Sequence, residues 1–170
     1  MLNPKIAKML NDQVNKELHS SYLYLDMANY YYDNNLNGFG NWFDVQTEEE
    51  KAHGMLIIQY LRNNGIKIDL KEIPAPDVKY KNFKEPLDAA FEHEKYITAS
   101  INEIYAEAYL VKDFRTMQFL DWFVKEQGEE EQTSDDLCKR FEMFGNDPKG
   151  LYLLDSELAS RTFEAPDLTL

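Results

Sequence analysis

One constellation, repeated at constant spacing, constrains this chain more than any other feature. Glu50 and His53 lie within TEEEKAHGM, residues 47–55, and Glu17 precedes them by 33 and 36 positions. Glu94 precedes Gln127 and Glu130 by the same 33 and 36, so the first set recurs as Glu94/Gln127/Glu130 with an offset of 77 throughout. Residues three apart on a helix share a face, with Cβ atoms roughly 5–6 Å apart, near enough to hold one metal ion between them. Each of the six interrupts an apolar stripe. A buried carboxylate without a partner is costly or takes up a proton, so the stripes must meet cations.

The stripes have helical steps of three and four. The first reads Ile6, Leu10, Val14, Glu17, Ser21, Leu25, Ala28, and the second Phe43, Gln46, Glu50, His53, Ile57, Leu61. The third reads Leu87, Ala90, Glu94, Ile97, Ile101, Ile104, Ala108, and the fourth Leu120, Phe123, Gln127, Glu130, Ser134, Leu137, Phe141, Phe144. Asn3-Pro4, Asp113 and Asp147-Pro148 are start signals, and Gly65 and Gly145 are stop signals. Helices are predicted at about 4–33, 38–64, 85–111, 114–144 and 148–160, within one domain spanning 1–170. Short turns make helices one and two, and three and four, antiparallel hairpins. The midpoint of 17 and 53 is 35 and that of 94 and 130 is 112, both inside the turns. Each half-set is therefore level across its hairpin. The connection over 66–83, with Pro74 and Pro76, is long enough to return along the bundle and set helices two and three parallel. The fold class that follows is an all-α four-helix bundle with a long crossover and a short C-terminal fifth helix. The stripe Leu151/Leu154/Leu158 on that helix is expected to need a neighbouring subunit.

Five of the six residues are plausible ligands, and carboxylates with one imidazole suit iron or manganese better than copper or structural zinc. The core stripes contain no Lys or Arg to neutralise them. Tyr24 lies seven residues after Glu17, placed to pack in the core or to bond a ligand. His19 and His93 fall off the stripes and are expected at the surface. Within KEQGEEEQ, residues 125–132, Glu126, Glu129 and Glu130 are crowded at helical spacing, which destabilises a helix that has no cation beside it.

A net charge of −13 disfavours nucleic acid and acidic membrane surfaces and favours cations. The single cysteine, Cys138, excludes an internal disulfide framework and a cysteine-built metal site. The N-terminal MLNPKIAKML lacks the apolar run of a signal peptide, and no stretch is apolar enough to span a bilayer, so a soluble cytoplasmic protein is expected.

The chain resembles the ferritins, specifically the non-haem bacterial ferritins. The likeness runs through NKELHSSYLYL around Glu17, EEEKAH around Glu50, EHEKYIT around Glu94, WFVKEQGEEE in the fourth helix, and the short fifth helix. The resemblance implies a ferroxidase centre with one iron on Glu17, Glu50 and His53. A second would share Glu50 with Glu94 and Glu130, with Gln127 orienting the oxidant and Tyr24 as the site tyrosine. It also implies a third iron site at Glu49, Glu126 and Glu129 with Glu130 shared. The activity implied is oxidation of Fe(II) by dioxygen or hydrogen peroxide, with ferric mineral stored inside a cage of 24 subunits. Gln127 and Glu130 stand where bacterioferritins carry a second Glu-x-x-His, and Lys51 stands where they carry a haem-ligating methionine, so no haem is expected. The alternatives are a di-iron oxidase or peroxidase without storage, and an acidic helical interaction module that binds no iron.

Overall fold

The computed structural model describes residues 2–168, and among these every regular element is a helix. They are α1 (Pro4–Asp33), α2 (Asn37–Asn63), α3 (Glu85–Leu110), α4 (Phe114–Phe144) and α5 (Pro148–Leu158). α2 begins one residue earlier than expected, α2 and α3 each end one residue sooner, and α5 stops at Leu158. Asn3, Asp113 and Asp147 cap α1, α4 and α5, their side chains accepting from the backbone N–H groups of Lys5, Thr116 and Gly150 at 2.9, 3.1 and 2.7 Å. The two hairpin turns pass through left-handed backbone at Asn35 (φ 59°) and Lys112 (φ 57°). Asparagine tolerates that region; lysine rarely occupies it.

α2 has no capping side chain of its own, because Leu36 precedes it. The cap comes from α5 instead. Asp155 Oδ1 accepts from the N–H groups of Gly38 and Phe39 at 2.8 and 3.0 Å. Gly38 makes the approach possible, since a Cβ there would lie 1.6 Å from the Asp155 carbonyl oxygen.

Lys5 pairs with Glu107, at the start of α1 and the end of α3, and the Tyr31 hydroxyl donates to the Phe83 carbonyl at the other end. α1 is therefore antiparallel to α3 as well as to α2, and α2 and α3 run parallel. The crossover lies along α1. Asn11 bonds Lys67 and Asp69, Asn15 bonds Asp69 and Lys71, and farther along Tyr30 packs on Tyr80.

The core is in two blocks. One gathers Ile6, Leu10, Ile57, Leu61, Ile101 and Phe123, and the other Tyr31, Phe39, Phe43, Leu87, Leu137 and Phe141. Between them lies a buried polar layer containing Glu17, Gln46, Glu50, His53, Glu94, Gln127 and Glu130.

The stripes of α2 and α3 are buried throughout, and two others need correction. In the second half of α1 Ala28 is buried as expected, but the other buried positions are Ser20, Tyr24, Met27 and Tyr31, while Leu25 is 39% exposed. The steps from Glu17 allow either track, and the bulky Tyr24 and Tyr31 rings, which pack on Phe43, select this one. In α4 the buried stripe ends at Phe141, and Phe144, the last helical residue, is 46% exposed. The leucine stripe of α5 is covered within the chain: Leu154 and Leu158 are buried in the second block and Leu151 packs against it. The large apolar residues that α5 leaves exposed are Tyr152 and Leu153.

Candidate metal centre

Helical spacing brings Glu17 from α1 and Glu50 and His53 from α2 to one level. One ligand atom from each of the three lies within 4.8 Å of the others. His53 Nδ1 is 3.6 Å from Glu50 Oε1, and its Nε2 is 3.8 Å from Glu126 Oε1 on α4. A second group, His53, Glu126 and Glu130, meets the same 4.8 Å limit. His53 thus stands in the wall between two groups of donors.

The hydrogen bonding of the layer is uneven. Glu17 Oε1 accepts from Gln13 Nε2 at 2.8 Å, while its Oε2 and both oxygens of Glu50 are buried with no hydrogen-bond partner among the described residues. Glu94 is fully engaged: one oxygen accepts from the Tyr24 hydroxyl and the other from Gln127 Nε2 at 3.2 Å. Glu130 Oε2 accepts from Gln46 Nε2 at 3.0 Å. Three orphaned carboxylate oxygens next to an imidazole form a donor set suited to a cation, because buried oxygens without partners are otherwise rare.

Electrostatics agree. Burial pushes Glu17, Glu50 and Glu94 above the usual carboxylate range, and pushes Glu130 up to about 7 with the Glu94 charge adding to it. Burial opposes charge on His53, but the carboxylates of Glu126, Glu50 and Glu17 outweigh it and hold the imidazolium well above the ordinary histidine range. Burial and the Glu94 and Glu50 charges raise the Tyr24 phenol well above its usual value. Without a cation the layer favours protonated carboxyls, and any cation it bound would release protons.

The outer acids have distributed themselves differently from one another. Glu126 turns toward His53. Glu129 is exposed beside Lys125 at 3.3 Å, and Glu49 is paired with Arg161 at 2.7 Å. Burial raises Glu49 to about 7 with Arg161 opposing. Together they border a solvent-open pocket of about 350 Å³, lined also by Trp122, Glu130 and the chain from Glu164 to Asp167.

His93 is half-buried rather than at the surface. Its Nε2 lies 2.7 Å from Ser20 Oγ and its ring stands edge-on to Tyr24, and burial followed by the neighbouring His19 lowers it to about 4. Gln13 and Gln46 orient Glu17 and Glu130. The periodic stripes miss Gln13, although it stands four residues before the glutamate it bonds; Gln46 falls on the α2 stripe, but its bond to Glu130 on α4 has no local signature. Gln13 is itself held, its Oε1 accepting from Ser100 Oγ at 2.5 Å. Arg161 was also missed, because nothing in its local sequence points back to α2.

Carboxylates and a histidine drawn from all four long helices into one buried layer define a class of helical bundle built around a metal-binding core. The chain belongs to the ferritin-like domain family, whose model matches residues 7–144. It is 36% identical to a probable bacterial non-heme ferritin-like protein of Haemophilus influenzae, covering 97% of this chain and 100% of that one. It is 35% identical to the bacterial non-heme ferritin of Campylobacter jejuni, over 91% and 93%. Among solved structures, an engineered closed form of the Archaeoglobus fulgidus ferritin superposes with a TM-score of 0.94 at 35% identity, covering 96% of this chain and 100% of that one. The open-pore ferritin of the same archaeon gives 0.92 at 35% identity, over 95% and 98%.

Proposed function

We propose that this protein oxidises Fe(II) in the buried carboxylate layer and stores the ferric product inside a closed shell of its own copies. The observation that carries the reading is Glu50, with both oxygens buried and unpartnered between Glu17, His53 and Glu94. Family membership supports it, as do relatives named non-heme ferritins.

Iron is the substrate here. Glu17, Glu50 and His53 are assembled to take the first Fe(II), their protons leaving as it binds. The second uses Glu50 in common with Glu94 and Glu130, and Glu94 must first give up its bonds to Tyr24 and Gln127. Occupation is therefore ordered. Two Fe(II) surrender one electron each, and dioxygen takes both with two protons to leave as hydrogen peroxide; hydrogen peroxide as oxidant takes two electrons and two protons to leave as water. The released amides and phenol of Gln127 and Tyr24 can then orient the oxidant, and the anionic ligands favour Fe(III) over Fe(II). The pocket bordered by Glu49, Glu126 and Glu129, with Glu130 shared, takes a third, weaker iron and passes ferric ions toward the mineral. No haem is bound, since Lys51 offers no axial thioether. The shell has 24 copies, about 480 kDa at 20.0 kDa each, and works in the cytoplasm.

Two measurements test this together. Light scattering near neutral pH is expected to give the mass of the shell, and anaerobic Fe(II) titration two tight ions per subunit that oxidise rapidly on adding oxidant. A monomer or dimer that oxidises iron indicates the oxidase without storage. Failure to bind Fe(II) overturns the reading altogether. Haem added to the purified protein should give no axial-ligand Soret shift.

A further inference from the structure

The outer pocket already contains a cation. After α5 the chain turns back, and the segment from Ser160 to Asp167 lies along α2 and α4 as a strap. Asn41 Nδ2 fixes its start, donating to the carbonyls of Leu158 and Arg161 at 3.2 and 3.0 Å. Arg161 donates to the Trp42 carbonyl at 3.3 Å, lies over the Trp42 ring at 4.6 Å, and bonds Glu49 at 2.7 Å. Trp122 Nε1 fixes the far end by donating to Asp167 at 2.8 Å. Between these anchors Glu164, Ala165 and Pro166 form one wall of the pocket whose other wall is Glu126, Glu129 and Glu130. The Arg161 and Glu49 side chains are only 24% and 18% exposed, so their attraction is little screened.

We propose that Arg161 is a tethered counter-ion of this pocket, occupying Glu49 until a metal cation displaces it, and that it sets the pocket's affinity. The inference rests on the reading that the pocket takes a cation. The consequence is a weakened site. Any ion that recruits Glu49 must first break a partly buried charge pair, and Arg161 leaves the pocket one charge less negative than it would be without that side chain. A site that hands ions on to a mineral has to release them, and a resident guanidinium that re-forms its pair drives that release. Displacement also moves the cation off the Trp42 ring, so occupancy is reported by one of the chain's two tryptophans.

The experiment uses the full-length protein carrying Glu50→Gln, which disables the inner centre, with Tb(III) alone as the redox-inert probe. Tb(III) luminescence sensitised by Trp122 reads occupancy, and the part of the tryptophan emission change that is lost in a Trp42→Phe partner sample reads the departure of Arg161, with the Trp122 anchor of the strap left in place. Adding Arg161→Gln is expected to tighten Tb(III) binding by roughly ten- to a hundred-fold, the range set by one nearby charge at partly buried depth. It should also abolish the Trp42 response. Arg161→Lys keeps the charge and should stay within a few-fold of the parent, which separates counter-ion action from loosening of the strap. Equal affinity in parent and Arg161→Gln, or an Arg161→Lys protein as tight as Arg161→Gln, overturns the proposal. Changing Glu49, Glu126 and Glu129 together to Ala should remove the Tb(III) signal. If that triple variant binds as the parent does, the underlying pocket assignment falls, and this proposal with it.

Discussion

Replacing Glu130 by glutamine should stabilise the metal-free protein, and only at high pH. Glu130 is buried, and burial with the Glu94 charge raises its carboxyl from 4.5 to about 7. A raised carboxyl means that the fold disfavours the ionised form. The cost is absent below the unfolded value and complete above the folded one. Each tenfold change in proton affinity is about 1.4 kcal/mol, so the cost is about 3 kcal/mol at pH 8 and under about 1 kcal/mol at pH 5. Glutamine has the same shape, and its oxygen can still accept from Gln46, which donates to Glu130 at 3.0 Å. The assay is guanidinium unfolding of exhaustively chelated protein, followed by circular dichroism at both pH values. Glu130→Gln should gain about 2 kcal/mol more at pH 8 than at pH 5. Adding Zn(II) should stabilise the parent and stabilise the variant less. A variant less stable than the parent at pH 8, or a gain independent of pH, would refute the electrostatic account of the layer.

Three further outcomes are expected. Glu50→Ala should slow Fe(II) oxidation in stopped flow by roughly a hundredfold or more, since it removes the ligand shared by both ions, while circular dichroism shows the fold intact. Tyr24→Phe leaves one buried oxygen of Glu94 without its donor and should cost the metal-free protein about 1–3 kcal/mol in denaturant unfolding, with Fe(II) stoichiometry unchanged. Gly38→Ala puts a Cβ where the Asp155 carbonyl lies, and thermal unfolding should show a loss of roughly 2–4 kcal/mol as α5 is pushed off and α2 loses its cap.

Much of the bundle could be read from the chain because its information is periodic. Helical steps of three and four placed the stripes, and the equal 33- and 36-residue spacings placed Glu17 level with His53 and Glu94 level with Glu130. Periodicity fails where two tracks are equally allowed. Ser21 and Leu25 fit the spacing as well as Ser20 and Tyr24 do, and only the packing of the Tyr24 and Tyr31 rings on Phe43 decides between them. It also fails for contacts with no periodic signature. Asp155 capping α2 spans 117 positions and Arg161 pairing with Glu49 spans 112. Each depends on where a short terminal helix happens to land, so neither cap nor counter-ion is legible before the fold is known. The unequal states of Glu94, fully bonded, and Glu50, wholly unbonded, likewise arise from side-chain geometry that residue spacing does not encode.

The division of the interior into two apolar blocks separated by a polar layer has a consequence for how substitutions combine. Leu10 and Ile57 share one block, Phe43 and Phe141 the other, and the carboxylates lie between. Substitutions more than about 7–10 Å apart with no shared partner add, whereas those within one bonded network do not. The two blocks can therefore be repacked as independent modules whose effects sum. The layer between them behaves as a single unit, in which altering Gln46, Glu130 or Glu94 changes what each of the others is worth, so diversity in this chain is expected to accumulate in the blocks and to be correlated across the layer.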